Sequence, residues 1–476
     1  MSAYIISLIL LLFISLSAEK NSLPVYHIEK NRTVYEKMAY EIWSNPEPGY
    51  METKSAGLLA AALKDAGFTV RSGVAGIPTA FVAEFGSGKP VIGLIAEYDA
   101  LPGLSQDNVP YRKPLTKNSF GHGCGHNLFG VASAAAAIAV KEWLVNSRSN
   151  GTVRLYGTPA EEGGAGKVYM VRDGLFDDAD AVLRWHPGTS NGASTVTHTG
   201  NISAKYRFSG KSSHAAIAPE KGRSALDGVE AMNMMVNLMR EHISGDSRIH
   251  YVITNGGLAP NVVPDFAEVY YYFRHFDVSE LRGLFERATN AANGAAIGTG
   301  TTVECEMISA TYPSLPNETI ARALYSNLIK IGGVKYDEIA KAFSDSIVGT
   351  FDSVKSDWIK QVEEIQPFAT GRRTYGSTDV ADVSWVTPSS GLSTACWVPG
   401  TGEHTWQAVA ASGHRTGFLG MINAAKVLSL TTVDLISDKN LLKKVRTEFD
   451  EKRGKEFKYE PLIGSRKPPL DMNLAQ

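Results

Sequence analysis

The sequence predicts an α/β protein with a mostly parallel sheet, interrupted by a smaller α+β domain. Strand-like stretches at residues 80–84, 91–96 and 153–157 are interleaved with helical segments, an order that is typical of parallel sheets. From about residue 201 the pattern changes to strand, helix, two strands, helix and strand, which is typical of a compact ferredoxin-like insert. The chain has 476 residues, 43% of them hydrophobic, so it is long enough to bury more than one core.

Helices are predicted on either side of these strands. Apolar residues recur at helical spacing over residues 30–42, 55–66 and 130–145. In α/β sheets, ligands bind in the crevice at the carboxyl ends of the strands. The polar residues discussed below follow predicted strands, so we expect them at that edge of the sheet.

The insert is expected to contain four strands and two helices. The strands are predicted at residues 202–209, 248–254, 267–273 and 301–308, and the helices at residues 225–240 and 279–292. The α/β pattern resumes near residue 317. The charged segment after residue 438 predicts one surface helix followed by irregular chain.

The N-terminus predicts a secretory signal peptide at residues 1–18. Residues 5–16 form an apolar run that is shorter than the ~20 residues needed to span a bilayer, so no stable membrane span is expected. Small residues follow, including Ser17 and Ala18, which fit a cleavage site. An uncleaved anchor or a buried helix is the alternative, because the first four residues contain no Lys or Arg. The prediction implies an exported protein, either periplasmic or extracellular.

Charge and cysteine content exclude several functional classes. Lys+Arg total 47 and Asp+Glu total 49, giving a net charge of −2 and no basic field for a nucleic acid backbone. The three cysteines, Cys124, Cys305 and Cys396, are too few and too scattered for a disulfide framework. A cysteine close to histidines is therefore a candidate for chemistry.

The densest chemical signal is a glycine-rich segment at residues 121–127, Gly-His-Gly-Cys-Gly-His-Asn. It places Cys124 and His126 two residues apart, and glycines allow the backbone to bring both side chains together. Thiolate and imidazole are preferred ligands of zinc-like divalent ions. Taken alone, the segment also fits an ordinary turn before the alanine-rich helix that follows.

Two adjacent carboxylates, Glu161 and Glu162, follow a predicted strand and precede two glycines. Such neighbours repel each other unless a cation or a proton separates them. One of them would then bind a metal ion while the other handles the proton of a water molecule. The alternative interpretation is a solvated acidic turn.

Two isolated histidines complete the set. His186 ends an apolar strand and His404 lies on a second glycine-rich loop, and either one alone fits a structural role. Together with Cys124, His126 and Glu162 they offer five donors at places where an α/β sheet exposes its loops. Two metal ions that share these donors would suit hydrolysis of an amide bond.

Six motifs, in matching order and spacing, resemble those of the M20 family of metallopeptidases and amidohydrolases. They are GHGCGHN, TPAEEGG, WHPG, GKSSHAAIAPEKGRSALD, GGLAPNVVPD and GEHT. The first motif and the stretch GSTDVADVSWVTP are most similar to the aminobenzoyl-glutamate hydrolase branch of that family. The likeness runs from about residue 35 to residue 427.

The resemblance implies a two-metal hydrolase domain with an inserted lid or dimerisation domain. With the signal peptide and the tail read from the sequence above, the predicted divisions are a signal peptide (1–18), a catalytic domain in two parts (19–200 and 313–437), the lid (201–312) and a C-terminal tail (438–476). The implied cofactors are two divalent ions, Zn or Mn, and the implied assembly is a homodimer through the lid. The implied substrate is an N-acyl or N-aroyl amino acid such as p-aminobenzoyl-glutamate.

The resemblance also implies a role for each site residue. The implied metal ligands are Cys124, His126, Glu162, His186 and His404. Glu161 would be the general base, and Asp99 would orient a ligand. His214, from the lid and often from the lid of a partner subunit, would stabilise the oxyanion. Asn261 and Arg274 would hold the substrate carboxylate.

Departures from the family pattern leave the substrate open. Aminopeptidase-like members have His-x-Asp where this chain has Glu-Tyr-Asp at residues 97–99, and an Asp at the position of His126. Cys124 is therefore a candidate bridging ligand. Many Cys-Gly-His amidohydrolases continue with Asp-x-His, whereas residues 127–129 of this chain are Asn-Leu-Phe. A dipeptidase or carboxypeptidase acting on small peptides is the alternative within the family.

Two further hypotheses belong to other classes. In the first, Cys124 is an acylating nucleophile with His126 or His122 as its base, which would make the chain a thiol amidase. In the second, the chain is a non-enzymatic binding protein that has kept the fold. Asp379 and Glu403 lie next to motifs and have no assigned role.

Overall fold

The computed structural model describes residues 22–117, 119–352 and 357–473. The predicted signal peptide and the last three residues of the predicted tail lie outside the described residues. Within the described part, two sheets dominate the architecture, one in each predicted domain.

A six-stranded sheet forms the centre of the main domain, in the strand order β1-β2-β4-β3-β5-β12. Its strands are β1 (Thr69–Ser72), β2 (Phe81–Ser87), β3 (Val91–Ala96), β4 (Gly151–Gly157), β5 (Ala181–Gly188) and β12 (Ser389–Ala395). Strands β4, β3, β5 and β12 are parallel, whereas β1 and β2 pair in an antiparallel manner at one edge. The prediction of a mostly parallel sheet is confirmed, and the antiparallel edge is an addition to it.

Helices flank the sheets along the whole described chain. In chain order they are α1 (residues 22–30), α2 (Arg32–Ser44), α3 (Thr53–Asp65), α4 (His126–Ser147), α5 (Gly166–Arg172), α6 (Ala225–Met239), α7 (Val278–Thr299), α8 (Glu318–Ile331), α9 (Glu338–Val348), α10 (Trp358–Glu363), α11 (Val380–Val386), α12 (Trp406–Ser412), α13 (Arg415–Ser437) and α14 (Lys439–Arg453). Helix α14 is the predicted helix of the C-terminal tail.

Helices α4 and α13 form the core on one face of the central sheet, where they pack against each other and against β5. Among the described residues, these two helices are long and apolar enough to cross a membrane by length and composition. In each of them 78% of the most apolar window is buried inside the protein, as in a core helix.

A separate four-stranded antiparallel sheet forms the insert, in the strand order β10-β7-β9-β8. Its strands are β7 (Gly200–Ser209), β8 (Arg248–Asn255), β9 (Phe266–His275) and β10 (Thr302–Thr311). Helices α6 and α7 pack on this sheet, and most of the edge strand β8 is exposed. The predicted order of elements is therefore observed, while the domain limits 201 and 312 stay predictions. A short parallel pair, β6 (Val196–His198) and β11 (Arg372–Thr374), lies outside both sheets.

Candidate metal centre

The predicted metal ligands lie where parallel strands of the central sheet reach their carboxyl ends. Glu161 and Glu162 follow β4, Asp99 follows β3, His186 lies near the end of β5, and His404 follows β12. These four strands are neighbours in the sheet in the order β4, β3, β5 and β12. Cys124 and His126 come from the segment between β3 and α4. The topology therefore brings together residues that are distant in sequence, as the position of ligands in α/β sheets requires.

The donor atoms of all five predicted ligands meet in one cluster. Cys124 Sγ lies 3.4 Å from His186 Nε2, and His404 Nε2 lies 3.3 Å from Glu162 Oε1. Three overlapping groups each have donor atoms within 4.8 Å of one another: Cys124, His126 and His186; Cys124, Glu162 and His404; and His126, Glu161 and Glu162. Cys124, His126 and Glu162 each belong to two of these groups, so the three groups form one connected cluster.

The start of α4 sets the direction of His126. Gly125 precedes the helix with φ 70°, and a Cβ at this residue would lie 2.9 Å from Pro187 Cγ, so a larger residue does not fit. His126 Nδ1 lies 2.8 Å from Asp99 Oδ1, while Asp99 Oδ2 accepts a hydrogen bond of 2.8 Å from the Glu162 amide. Asp99 thus orients two of the predicted ligands at once, the geometry implied for it from the sequence.

The electrostatics of His126 favour a cation at this place. Burial alone would lower the pKa of His126, but Asp99 and Glu97 raise it well above its usual range. The surroundings therefore stabilise a positive charge on or beside the ring. A divalent ion can supply that charge in place of the proton, because metal binding displaces protons from its ligands.

Two buried donor atoms without a well-formed hydrogen bond point to the same conclusion. His126 Nε2 and Glu162 Oε1 are buried, and each has only a charged neighbour of the cluster nearby, Glu97 Oε2 at 3.2 Å and His404 Nε2 at 3.3 Å. Leaving such atoms unpaired costs free energy. Thiolate, imidazole and carboxylate are also the ligand types that zinc-like ions take, so the residues present fit a divalent metal centre.

Glu161 is a half-buried carboxyl group beside this cluster. Burial raises the pKa of Glu161 well above its usual range, and the neighbouring carboxylates Glu97 and Glu162 raise it further. The preceding residue, Ala160, has φ 57°, and its amide donates to Glu52 Oε1 at 2.8 Å. Glu52 thus helps to hold the unusual turn from which Glu161 extends.

Sequence reasoning missed an ion cluster beneath the site. The buried Lys167 Nζ lies 2.8 Å from Glu97 Oε1 and 2.7 Å from Asp379 Oδ1, and Glu97 Oε2 lies 3.2 Å from His126 Nε2. The signals available were the position of Glu97 two residues before Asp99 and the place of Asp379 in a family motif. A single lysine in the first turn of α5 carries no such signal.

The thiol-amidase hypothesis finds little support in this geometry. Burial raises the pKa of Cys124 well above its usual range, and Glu162 raises it further, so the thiol is protonated and is a poor nucleophile without a cation. The nitrogen near Cys124 Sγ belongs to His186, not to the expected bases His126 or His122. Both ring nitrogens of His122 are buried and have no hydrogen-bond partner.

The predicted residues of the lid separate into two places. Arg274 lines the cleft, of about 860 Å³, that also contains Cys124 and the two glutamates, and it donates to Ser377 Oγ at 2.9 Å. His214 and Asn261 do not line this cleft in the described chain. They lie together elsewhere on the lid, where Ala215 N donates to Asn261 O at 3.0 Å.

The model of peptidase family M20/M25/M40 matches residues 93–350, more than half of the chain. The chain belongs to the M20 family. One M20 relative, a p-aminobenzoyl-glutamate hydrolase subunit of Escherichia coli (strain K12), is 42% identical over 449 residues, which cover 89% of this chain and 93% of the relative. The Xaa-Arg dipeptidase of Mus musculus is 31% identical over 424 residues, covering 86% and 87%.

Solved structures agree on the fold. The Bacillus subtilis YXEP protein, a dinuclear metal binding peptidase from the M20 family, matches with a TM-score of 0.56 at 16% identity, covering 85% of this chain and 99% of that one. Together with family membership, this likeness confirms the predicted fold class. As an M20 member, the chain is a metal-binding hydrolase that acts on amide bonds.

Proposed function

We propose that this M20 amidohydrolase cleaves the amide bond of N-acyl or N-aroyl amino acids, with p-aminobenzoyl-glutamate as its substrate. The observation that carries the proposal is the convergence of five donors and the half-buried Glu161 on one cleft. The choice of substrate is supported by the 42% identity with a p-aminobenzoyl-glutamate hydrolase subunit.

In this proposal Cys124, His126, Glu162, His186 and His404 would hold two divalent ions, Zn or Mn. When bound, such ions polarise the amide carbonyl and acidify water. Asp99 fixes the ring of His126 and the backbone of Glu162, so that both donors keep their directions.

Glu161 moves the protons of the reaction. It accepts a proton from the attacking water molecule and then donates it to the nitrogen of the departing amino acid. Burial raises the pKa of Glu161 above its usual range, which makes its carboxylate a better proton acceptor. On the lid side of the cleft, Arg274 binds the α-carboxylate of the substrate, since a planar guanidinium matches a carboxylate.

The proposal includes a homodimer that forms through the lid. In the described chain His214 and Asn261 lie together outside the cleft, and His214 is exposed. A second copy of the chain would bring this pair to the cleft of its partner, where His214 would stabilise the oxyanion and Asn261 would contact the substrate carboxylate.

The proposal also places the protein outside the cytoplasm, because the apolar run at residues 5–16 has the length of a signal peptide core. Expression of the full chain followed by fractionation and N-terminal sequencing tests this part. Mature protein that begins near residue 18 or 19 in an exported fraction is expected, and full-length protein in the cytoplasm would contradict it.

The test of the function is a substrate panel measured with purified, metal-analysed protein. The panel contains p-aminobenzoyl-glutamate, aliphatic N-acyl amino acids and dipeptides. We expect fastest turnover of the aroyl-glutamate, loss of turnover with a chelator and recovery on adding Zn or Mn. Equal or faster turnover of dipeptides, or turnover that survives complete metal removal, would contradict the proposal.

A further inference from the structure

A second cavity, which we call the inner cavity, adjoins the metal cleft beside β5 and β12. Its volume is about 220 Å³, below the roughly 300–1,000 Å³ of sites that enclose a whole drug-sized ligand. Arg184, His186, His198 and Ser393 line both the cleft and the inner cavity. The cavity therefore has room for one side chain of a substrate whose scissile bond lies at the metal centre.

Strand β5 directs Arg184 into this cavity. Side chains alternate along a strand, and Trp185 packs on the α4 side, where its Nε1 donates to Phe129 O at 3.1 Å. Arg184 and His186 therefore face the opposite side of the sheet. The partner residue of Arg184 on β12 is Gly391, where a Cβ would lie 2.6 Å from Arg184 Cγ and 3.3 Å from its Nε. Because Gly391 has no side chain, the side chain of Arg184 can extend across this position of β12.

The guanidinium of Arg184 has no partner in the part of the chain that the structure describes. No hydrogen bond and no ion pair to it is found there, and none of the described residues that line the inner cavity is an aspartate or a glutamate. Glu97 and Glu161 act on Arg184 only through longer-range electrostatics. A half-buried charge without a partner is costly, so an anion is the expected occupant.

The rest of the lining suits a carboxylate. Ser190, Ser389 and Ser393 line the cavity, and their hydroxyl groups can donate to anionic oxygens. Burial, together with the positive charge of Arg184, lowers the pKa of His198 to about 3, so His198 is neutral at pH 7 and its ring N–H can donate. The guanidinium fork offers parallel N–H groups, the geometry that binds a carboxylate with two hydrogen bonds.

We propose that Arg184 and the inner cavity bind the side-chain carboxylate of an acidic amino acid in the substrate, and so select N-acyl glutamates over neutral analogues. This inference rests on the proposed function, because it assigns the second carboxylate of that substrate. The first carboxylate is assigned to Arg274, which lines the outer cleft but not the inner cavity. Arg372 also lines the inner cavity, so a substrate with two carboxylates would meet Arg274 in the outer cleft and Arg184 with Arg372 in the inner cavity.

The test compares p-aminobenzoyl-glutamate with p-aminobenzoyl-glutamine, which has the same shape and lacks the charge. For the wild type we expect kcat/KM to favour the glutamate by about 10²-fold or more, since a site built for a polar group rejects an analogue that leaves it unpaired. Arg184→Met is expected to remove most of this preference by lowering kcat/KM for the glutamate. Turnover of the glutamine analogue should change less than about threefold, since its amide forms no ion pair with Arg184.

Two controls separate a specific effect from a general one. Arg322→Met removes an exposed arginine that pairs with Glu318 on α8, and it should leave the ratio of the two substrates unchanged. Arg184→Lys keeps the charge and loses the fork, so an intermediate ratio is expected. Metal content and thermal unfolding are measured for every variant. If Arg184→Met does not fold, the ratio of kcat/KM for the two substrates in Arg184→Lys tests the role of Arg184.

A binding measurement keeps this inference separate from the proposed function. Calorimetry with metal-depleted wild type should give at least about tenfold tighter binding of N-acetylglutamate than of N-acetylglutamine, and Arg184→Met should abolish the difference. If the metal-loaded protein hydrolyses neither aroyl substrate, the proposed function fails, but calorimetry still decides the role of Arg184. The inference is overturned if the wild type shows a glutamate-to-glutamine ratio near one in both kcat/KM and binding affinity. It is also overturned if the wild-type ratio is retained in Arg184→Met.

Discussion

The candidate site draws on two regions that differ in how their residues come together. At the carboxyl edge of the central sheet, every predicted ligand, together with Asp99 and Glu161, meets within one chain. In the lid, Arg274 reaches the cleft, whereas His214 and Asn261 lie elsewhere. The parallel sheet brings its site residues together by its own topology. For His214 and Asn261 of the lid, we propose that contact with another subunit brings them to a cleft.

The largest effect should follow from a change in the first region. Glu161→Gln keeps the size of the side chain and removes its ability to accept a proton. General acid–base groups contribute about 10²–10⁴-fold to rates, so kcat should fall by that factor while the metal content stays unchanged. Steady-state kinetics and metal analysis of the same preparation check this, and near-normal turnover with full metal content would contradict the role of Glu161.

A change in the second region should act across subunits. His214→Ala should lower kcat by about 10²–10³-fold, as loss of an oxyanion donor does. Mixing it with Glu161→Gln under conditions of subunit exchange creates heterodimers in which one site has both groups intact. If half of the dimers are mixed, about a quarter of the wild-type activity should return. Activity that stays at the level of the separate variants would show that the lid does not act on a partner's cleft.

Asp99 distinguishes orientation of the ligands from ligation itself. Asp99→Asn should weaken metal binding by about 10–100-fold, because His126 loses the carboxylate that fixes its ring. Titration with a metal-competing chelator measures this change. Asp107→Asn, which removes a surface pair with Lys113, is the matched control and should bind metal as the wild type does. Unchanged metal affinity in Asp99→Asn would mean that metal binding does not depend on the contact between Asp99 and His126.

The smallest expected effect concerns the scaffold behind the first region. His414 precedes α13 and accepts a hydrogen bond of 3.3 Å from the Thr416 amide, and burial lowers its pKa to about 4 against the opposing influence of Asp337. The folded state thus binds fewer protons than the unfolded state below pH 6.5, and stability is lost as the pH falls from 6.5 towards 4. After allowance for partial exposure, this loss should be about 1–2 kcal/mol at pH 5.

The variant His414→Asn keeps an acceptor at the start of α13 and does not titrate. Urea unfolding at pH 7 and pH 5 should therefore give a smaller difference for this variant than for the wild type. An equal difference in the two proteins would exclude His414 as the titrating group.

The elements and residues that the sequence predicted are those with a repeated local pattern. Helix α4 and strands β3 and β4 follow from apolar spacing, and Cys124 and Glu162 follow from motifs placed after strands. The antiparallel edge strand β1 could not be predicted, because strand pairing is a non-local choice. The role proposed for Arg184 could not be predicted either. It depends on the pairing of Arg184 with Gly391, which lies on a neighbouring strand far along the chain. Lys167 becomes part of the site only when folding brings it to Glu97.

The central claim is that five donors from four strand ends hold a pair of metal ions. Crystals of the metal-loaded protein, measured at the absorption edge of the bound metal, test it most directly. The account predicts two anomalous peaks within the group of Cys124, His126, Glu162, His186 and His404, with Glu161 beside them. Metal-loaded crystals without anomalous density in that group, or with density at other residues only, would contradict it.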